Sequence, residues 1–288
     1  MWGATPLYFS LLDAASPIEV VAHRVIWSLV FLIGIILVTR GWGSTLAVFR
    51  SRRSVVLLSL ASIAITVNWT TFIYAISTDQ VVESSLGYFI NPLVSVTLGV
   101  LVLRERLRLG QWTAVGIATM GVITIGVGSG AAPIIGLLLA FSFGSYGLLK
   151  KLAGVDAIPS LTVETAMLFP LASAVLIYAE INGSAAFIVD GLGFSILLML
   201  LGPFTAIPLL AYVAAANRLP LSTLGLAQYM TPTVLFIFGI TIFSETVQPL
   251  EWIGFGFIWL ALAVFSVDLL RHSRRPSTLD ELEVAEPT

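Results

Sequence analysis

Cysteine is missing from all 288 residues, which excludes disulfides and thiolate metal sites. Histidine occurs twice, too rarely for a His-built metal centre or a Ser-His pair to be expected. Charge is scarce: Asp, Glu, Lys and Arg make up 10% of the chain, against about 25% in a soluble domain. No P-loop or zincin pattern occurs. "GVGSGA" at 126–131 lacks the glycine spacing of a dinucleotide site and suits close helix packing instead. Nothing basic precedes an apolar core at the N-terminus, so no signal peptide is expected. No cofactor, no metal and no nucleic-acid partner is predicted.

What is present is apolar. Hydrophobic residues form 58% of the chain, and the mean hydropathy is +1.00. This composition predicts an all-α polytopic membrane protein. Apolar runs predict ten spans, near 1–12, 20–39, 54–77, 82–103, 111–129, 133–149, 161–179, 192–216, 221–243 and 251–270. Breakers such as Gly41, Gly43, Gly110, Pro133, Gly183 and Pro220 mark the connectors. Residues 271–288 form a polar, acidic tail that is expected to be disordered.

The placement of charge is more informative than its amount. Arg40, Arg50, Arg52 and Arg53 follow span 2, and Arg104, Arg106 and Arg108 follow span 4. Lys150 and Lys151 follow span 6, Arg218 follows span 8, and Arg271, Arg274 and Arg275 follow span 10. Only Arg24 lies inside a span. Connectors after odd spans carry Asp13, Glu19, Asp79, Glu180, Asp190 and Glu251, with no Lys or Arg. The positive-inside rule then predicts both termini in the cytoplasm. Trp42, Trp112 and Trp252 fall at predicted span ends and read as interface anchors.

An internal repeat underlies this pattern. "LGYFINPLVSVTLGVLVLRERL" at 86–107 aligns with "LAQYMTPTVLFIFGITIFSETV" at 226–247. Pro92 matches Pro232, Gly99 matches Gly239 and Glu105 matches Glu245, each pair 140 positions apart. Arg104, Arg106 and Arg108 become Ser244, Thr246 and Gln248. Five spans per half is an odd number, so the second half enters the membrane inverted. Packing residues are retained, while cations are lost from a loop that now faces the other side. The halves are predicted as residues 1–129 and 133–270, an inverted repeat of the kind found in secondary transporters. Span 1 is short against its mate, span 6. Eleven or twelve residues cover about 18 Å, against a hydrocarbon core of about 30 Å. The first span therefore reads as truncated, with Met1 not the natural start.

"HRVIWSLVF" (23–31), "NWTTFIYAIS" (68–77), "VVESSLGYFINPLVSVTLGVLVLRERL" (81–107) and "QWTAVGIATMGV" (111–122) resemble the RarD family, in the EamA group of the drug/metabolite transporter superfamily. The resemblance runs from Trp2 to about Asp268. It implies a ten-helix permease of the bacterial inner membrane, built from two five-helix units. It also implies a link to chloramphenicol sensitivity, and kinship with exporters of amino acids and other small metabolites.

A transporter needs a polar site within the membrane that is reachable from each side in turn. Asn68, Asn91 and Gln228 are polar groups inside apolar runs, and they read equally as cavity lining or as interhelical locks. Trp69, Tyr88 and Tyr229 beside them are candidates for stacking on a flat substrate, or for plain packing. Mid-span Pro92 and Pro232 predict paired hinges that leave the carbonyls of Tyr88 and Gln228 under-satisfied, or else simple packing kinks. Among the ionisable groups within spans, His23, Arg24, Glu83 and Glu164 are the functional candidates. His23 and Glu164 are candidates for proton coupling. Alternatively, His23 sits at the interface and Arg24 snorkels to the headgroups. Arg24 is also a candidate to hold an anionic substrate or to pair with Glu83. Glu83 itself reads as a carboxylate favoured by a helix N-terminus.

These readings predict a secondary transporter in the lipid bilayer. It would export a small metabolite or drug by alternating access, driven by a proton or ion gradient. Substrate, direction and oligomeric state stay open at this level. An intramembrane enzyme acting on lipid would need a nucleophile–base pair or carboxylate cluster on facing helices, and the pattern offers none. A receptor or scaffold subunit would call for a larger soluble loop or tail than the acidic C-terminus.

Overall fold

The computed structural model describes residues 8–9, 11–12, 14–77, 81–129, 134–187, 191–241 and 248–273. Eleven helices are described: α1 (Pro17–Thr39), α2 (Trp42–Arg50), α3 (Arg52–Ser77), α4 (Val81–Leu101), α5 (Leu109–Ser129), α6 (Ile134–Ala153), α7 (Ala157–Ile181), α8 (Leu192–Arg218), α9 (Leu221–Ala227), α10 (Met230–Thr241) and α11 (Pro249–Ser273). There is no strand among the described residues. The chain is an all-α membrane protein. By length and composition, α1, α3, α5, α6, α7, α8, the α9–α10 pair and α11 can each cross a bilayer. Helix α4 adds a shorter apolar stretch, Gly87–Leu101. The predicted first span and the C-terminal tail fall largely outside the described residues.

Local sequence accounts for the boundaries. Ser16 accepts the N–H of Glu19 at 3.3 Å and Pro17 opens the first turn, so α1 starts there. It ends where Arg40 turns left-handed at φ 55° and returns its N–H to Ile36 O. Helix α2 lies outside the predicted spans, because Gly41 and Gly43 read as a connector in the sequence. Its Trp42, Leu46 and Phe49 are exposed and Arg50 closes it, a composition suited to the headgroup interface. The exposed surfaces of the long helices are apolar as well, as at Val30, Leu60, Leu171 and Leu200, which fits lipid as the surrounding solvent.

The helices form two compact units, residues 1–105 with 131–246, and residues 106–130 with 247–288. In the larger unit, Leu32, Ile65, Tyr146, Leu161, Ala206 and Val213 share one buried core. Close backbone approach depends on glycine. A Cβ on Gly202 of α8 would lie 2.3 Å from Trp27 O of α1, and one on Gly225 of α9 would lie 2.9 Å from Pro92 O of α4. Glu105, just past α4, meets Leu221 and Ser222 at the start of α9, while Asn91 further back meets Gln228. Helices α4 and α9 therefore run antiparallel.

In the smaller unit α5 packs on α11. Arg108 pairs with Asp268 at 3.1 Å, and a Cβ on Gly121 would lie 2.9 Å from Gly254 O, so these helices are antiparallel too. Each unit takes helices from both predicted halves of the sequence.

Candidate functional site

The predicted ninth span is not continuous. Helix α9 stops at Ala227 and α10 begins at Met230, leaving Gln228 and Tyr229 as the corner. Pro232 sits four residues after Gln228, where its ring would crowd the Gln228 carbonyl in a regular helix. The expectation of an under-satisfied Gln228 carbonyl is corrected here. The Thr231 N–H donates to it at 2.9 Å, and the N–H groups of Gln228 and Tyr229 reach Gly225 O and Leu226 O at 3.0 and 3.2 Å. Tightened turns absorb the proline. Helix α4 runs through Pro92 without such a break, so the two prolines shape their helices differently.

That corner aims Gln228 at Asn91. The Asn91 Nδ2 donates to Gln228 Oε1 at 2.6 Å. Asn91 Oδ1 and Gln228 Nε2 have no hydrogen-bond partner among the described residues, although Asn91 is only 9% exposed. Both residues line a cavity of about 100 Å³, room for several waters. Tyr88 and Thr231 line it too. Tyr88 with Gln228, and Asn91 with Thr231, are repeat mates 140 positions apart. The cavity forms where the two copies of one motif face each other.

Helices α1 and α3 supply the rest of its polar wall. Arg24 projects from α1, with its guanidinium carbon 4.5 Å from the Trp69 ring centre and 5.7 Å from that of Phe9. Its Nε donates to Thr205 Oγ1 of α8 at 3.1 Å. Asn68 of α3 has two kinds of contact. It lines the cavity, and its Nδ2 donates to Leu139 O at 2.9 Å and Ser142 Oγ at 3.1 Å, tying α3 to α6. Phe72 meets Tyr88 edge-on at 6.1 Å.

Of the predicted residues, Arg24, Asn68, Trp69, Tyr88, Asn91 and Gln228 come together on this cavity. Arg24 does not snorkel to the headgroups, as one reading had it, because its guanidinium is held within the cavity wall. Tyr229 is fully buried, its hydroxyl has no partner among the described residues, and it is not part of the lining. The Glu83 side chain lies outside the described residues.

Two ionisable clusters lie away from the cavity. His23 is 3% exposed, and its Nδ1 accepts from Trp27 Nε1 at 3.2 Å. Its Nε2 faces Glu19 Oε1 at 3.7 Å, and that same oxygen accepts the Ala186 N–H at 2.9 Å. The Phe187 ring lies 5.1 Å from the imidazole, so His23 is enclosed rather than bathed at an interface. Glu19 and His23 stand four apart on α1, a spacing from which the contact was readable.

Glu164 of α7 is not isolated either. It takes a 2.5 Å ion pair from Lys150 of α6 and a 3.3 Å hydrogen bond from the Tyr146 hydroxyl. Lys150 also donates to Ser160 Oγ at 2.5 Å. Lys150, which the sequence places just after span 6, belongs to the helix itself and turns into the core. It is 1% exposed in the last turn of α6, held by an acid fourteen residues away that local spacing could not single out.

The EamA-like transporter family model matches residues 1–127. Protein RarD of Streptomyces exfoliatus is 44% identical over 288 residues, covering 100% of this chain and 91% of that one. Protein RarD of Escherichia coli is 38% identical over 278 residues, covering 96% and 94%. An uncharacterized transporter of Vibrio cholerae is 41% identical over 277 residues, covering 96% and 92%. A solved crystal structure, 20% identical, shares the fold with a TM-score of 0.68 over 92% of this chain and 93% of its own. With identity of this order along nearly the full length, the chain belongs to the RarD family of EamA-like membrane transporters.

Proposed function

We propose that the chain is a secondary transporter that exports a small metabolite or drug by alternating access, with the Arg24–Asn91–Gln228 cavity as its substrate site. The observation that carries this reading is the convergence of Arg24, Asn68, Trp69, Tyr88, Asn91 and Gln228 on one cavity within apolar spans. Polar groups of this kind are expensive in a membrane unless they serve a ligand, water or each other. Two repeat-mate pairs line the same space, as expected for a site shared by inverted halves. The α9–α10 corner supplies a point at which one half can bend. Proton or ion coupling is the energy source compatible with a sequence that carries no nucleotide-binding pattern. The gathering of cations after even spans supports a bacterial inner-membrane protein with both termini in the cytoplasm.

The test is flux of a labelled metabolite panel through proteoliposomes holding the full chain, with and without a pH gradient. Asn91→Leu and Gln228→Leu are the diagnostic variants. Protein-dependent flux of at least one panel compound, reduced about tenfold or more by either variant, is expected. Flux unchanged by both variants removes the cavity from the transport path, and no flux of any compound overturns the transport reading.

A further inference from the structure

Arg24 is a cation without a counter-charge among the described residues. Among the described residues it makes one hydrogen bond to a neutral hydroxyl, lies over the faces of two aromatic rings and interacts electrostatically with the Tyr88 hydroxyl, which is neutral. Its terminal nitrogens find no acceptor there. Arginine in this setting is costly, and a planar fork left open suits a carboxylate or a similar oxyanion. The Trp69 ring 4.5 Å away gives a planar wall beside that fork.

Asn91 and Gln228, on the same lining, pose the opposite requirement. They use one donor and one acceptor on each other, the Tyr212 hydroxyl interacts with the Gln228 amide, and Asn91 Oδ1 is left without a partner among the described residues. Exchanging oxygen and nitrogen in both amides leaves Asn91 an amide nitrogen in place of that oxygen, and a hydroxyl or amide group satisfies either. The lining therefore asks for a neutral group that donates and accepts, and among the described residues it contains no second charge.

On the reading that this cavity is the substrate site, we infer that its substrate is a small planar monoanion bearing a neutral donor–acceptor group opposite its charge. Arg24 takes the anionic end, Trp69 lies along the planar body, and the Asn91–Gln228 pair takes the hydroxyl or amide. A cation or a neutral compound leaves the Arg24 fork open, a zwitterion brings a positive charge that meets no acid among the described lining residues, and an unsubstituted aromatic acid leaves the Asn91 amide unpaired.

The probe is 4-hydroxybenzoate, with 4-hydroxybenzamide as its neutral counterpart and benzoate as the analogue lacking the distal group. Binding is read from the ligand-dependent melting temperature of the purified full chain in detergent. 4-Hydroxybenzoate is expected to bind about tenfold or more tightly than the amide, and more tightly than benzoate. Arg24→Gln is expected to abolish the preference for the anion, and Arg24→Lys to retain part of it. The comparison between anion and amide needs only the native chain, so a poorly folded variant does not remove the test. Equal binding of the two, no binding of the anion, or an unchanged preference in Arg24→Gln overturns the inference. So does binding of the anion in Glu83→Gln alone, since the Arg24 charge would then already be taken up by that acid.

The outcomes separate the two readings. Flux of neutral or cationic panel compounds that depends on Asn91 and Gln228, without 4-hydroxybenzoate binding, ends this inference and leaves transport standing. Binding of 4-hydroxybenzoate with no flux of any compound does the reverse.

Discussion

The Glu105 carboxylate grips Ser222 twice, accepting its N–H at 2.9 Å and its hydroxyl at 2.6 Å, and it accepts the Leu221 N–H at 2.6 Å as well. An acid that has just left α4 thereby caps the start of α9. Orphan N–H groups at a helix start are costly when buried, and charge-assisted bonds are the strong kind. Glu105→Ala is expected to destabilise the chain by about 3 kcal/mol and Glu105→Gln by about half of that, read from thermal unfolding in detergent. A loss below about 0.5 kcal/mol in the alanine variant contradicts this role for the carboxylate.

The Lys150–Glu164 pair predicts a particular pattern of non-additivity. Removing one partner of a buried ion pair leaves an uncompensated charge, at about 3–5 kcal/mol. Lys150→Met and Glu164→Gln should each be strongly destabilised, while Lys150→Met with Glu164→Leu should recover most of the loss. Purely additive losses in the double variant would show that the charges do not act as a pair.

We propose that coupling, if protons drive transport, runs through the Glu19–His23 cluster. Glu164 is held by a lysine, a tyrosine and the surrounding apolar core. Glu19 Oε2 and His23 Nε2 both lack hydrogen-bond partners among the described residues, so this pair has room to exchange a proton. In proteoliposomes, His23→Gln is expected to bring the ratio of flux with and without a pH gradient close to one, while leaving exchange without a gradient measurable. A gradient response equal to that of the unaltered chain takes His23 out of the coupling role.

Much of this architecture was legible because a membrane imposes simple rules. Spans follow from apolar length, and the expectation of inversion rests on cations that gather after even spans. The cavity residues stood out as polar or aromatic groups inside apolar runs. Contacts between helices distant in sequence were not legible. Nothing near Lys150 announces Glu164, and nothing marks Thr205 as the partner of Arg24. The α2 helix was missed because nine residues after paired glycines are too few to show a period. Glu105 is the intermediate case. Its recurrence as Glu245 marked it as part of the frame, but only its contact with Ser222 supplies the reason, and Glu245 lies outside the described residues.

Inversion of the halves makes the sharpest demand on orientation. Ser44 and Ser184 are 140 positions apart, so they are mates in the repeat, and both are exposed. Ser44 lies in α2, amid the arginines that follow span 2, whereas Ser184 follows α7 in a connector without a cation. The native chain has no cysteine, so a single introduced thiol is the only target for a maleimide. With a membrane-impermeant maleimide, Ser184→Cys is expected to label in intact cells and Ser44→Cys only in inverted vesicles. Labelling of both from one side breaks the antiparallel relation of the halves and, with it, the argument that a shared cavity can open alternately to each face. Labelling of both residues on the sides opposite to those expected keeps the inversion but reverses the whole molecule, and would place both termini outside the cytoplasm.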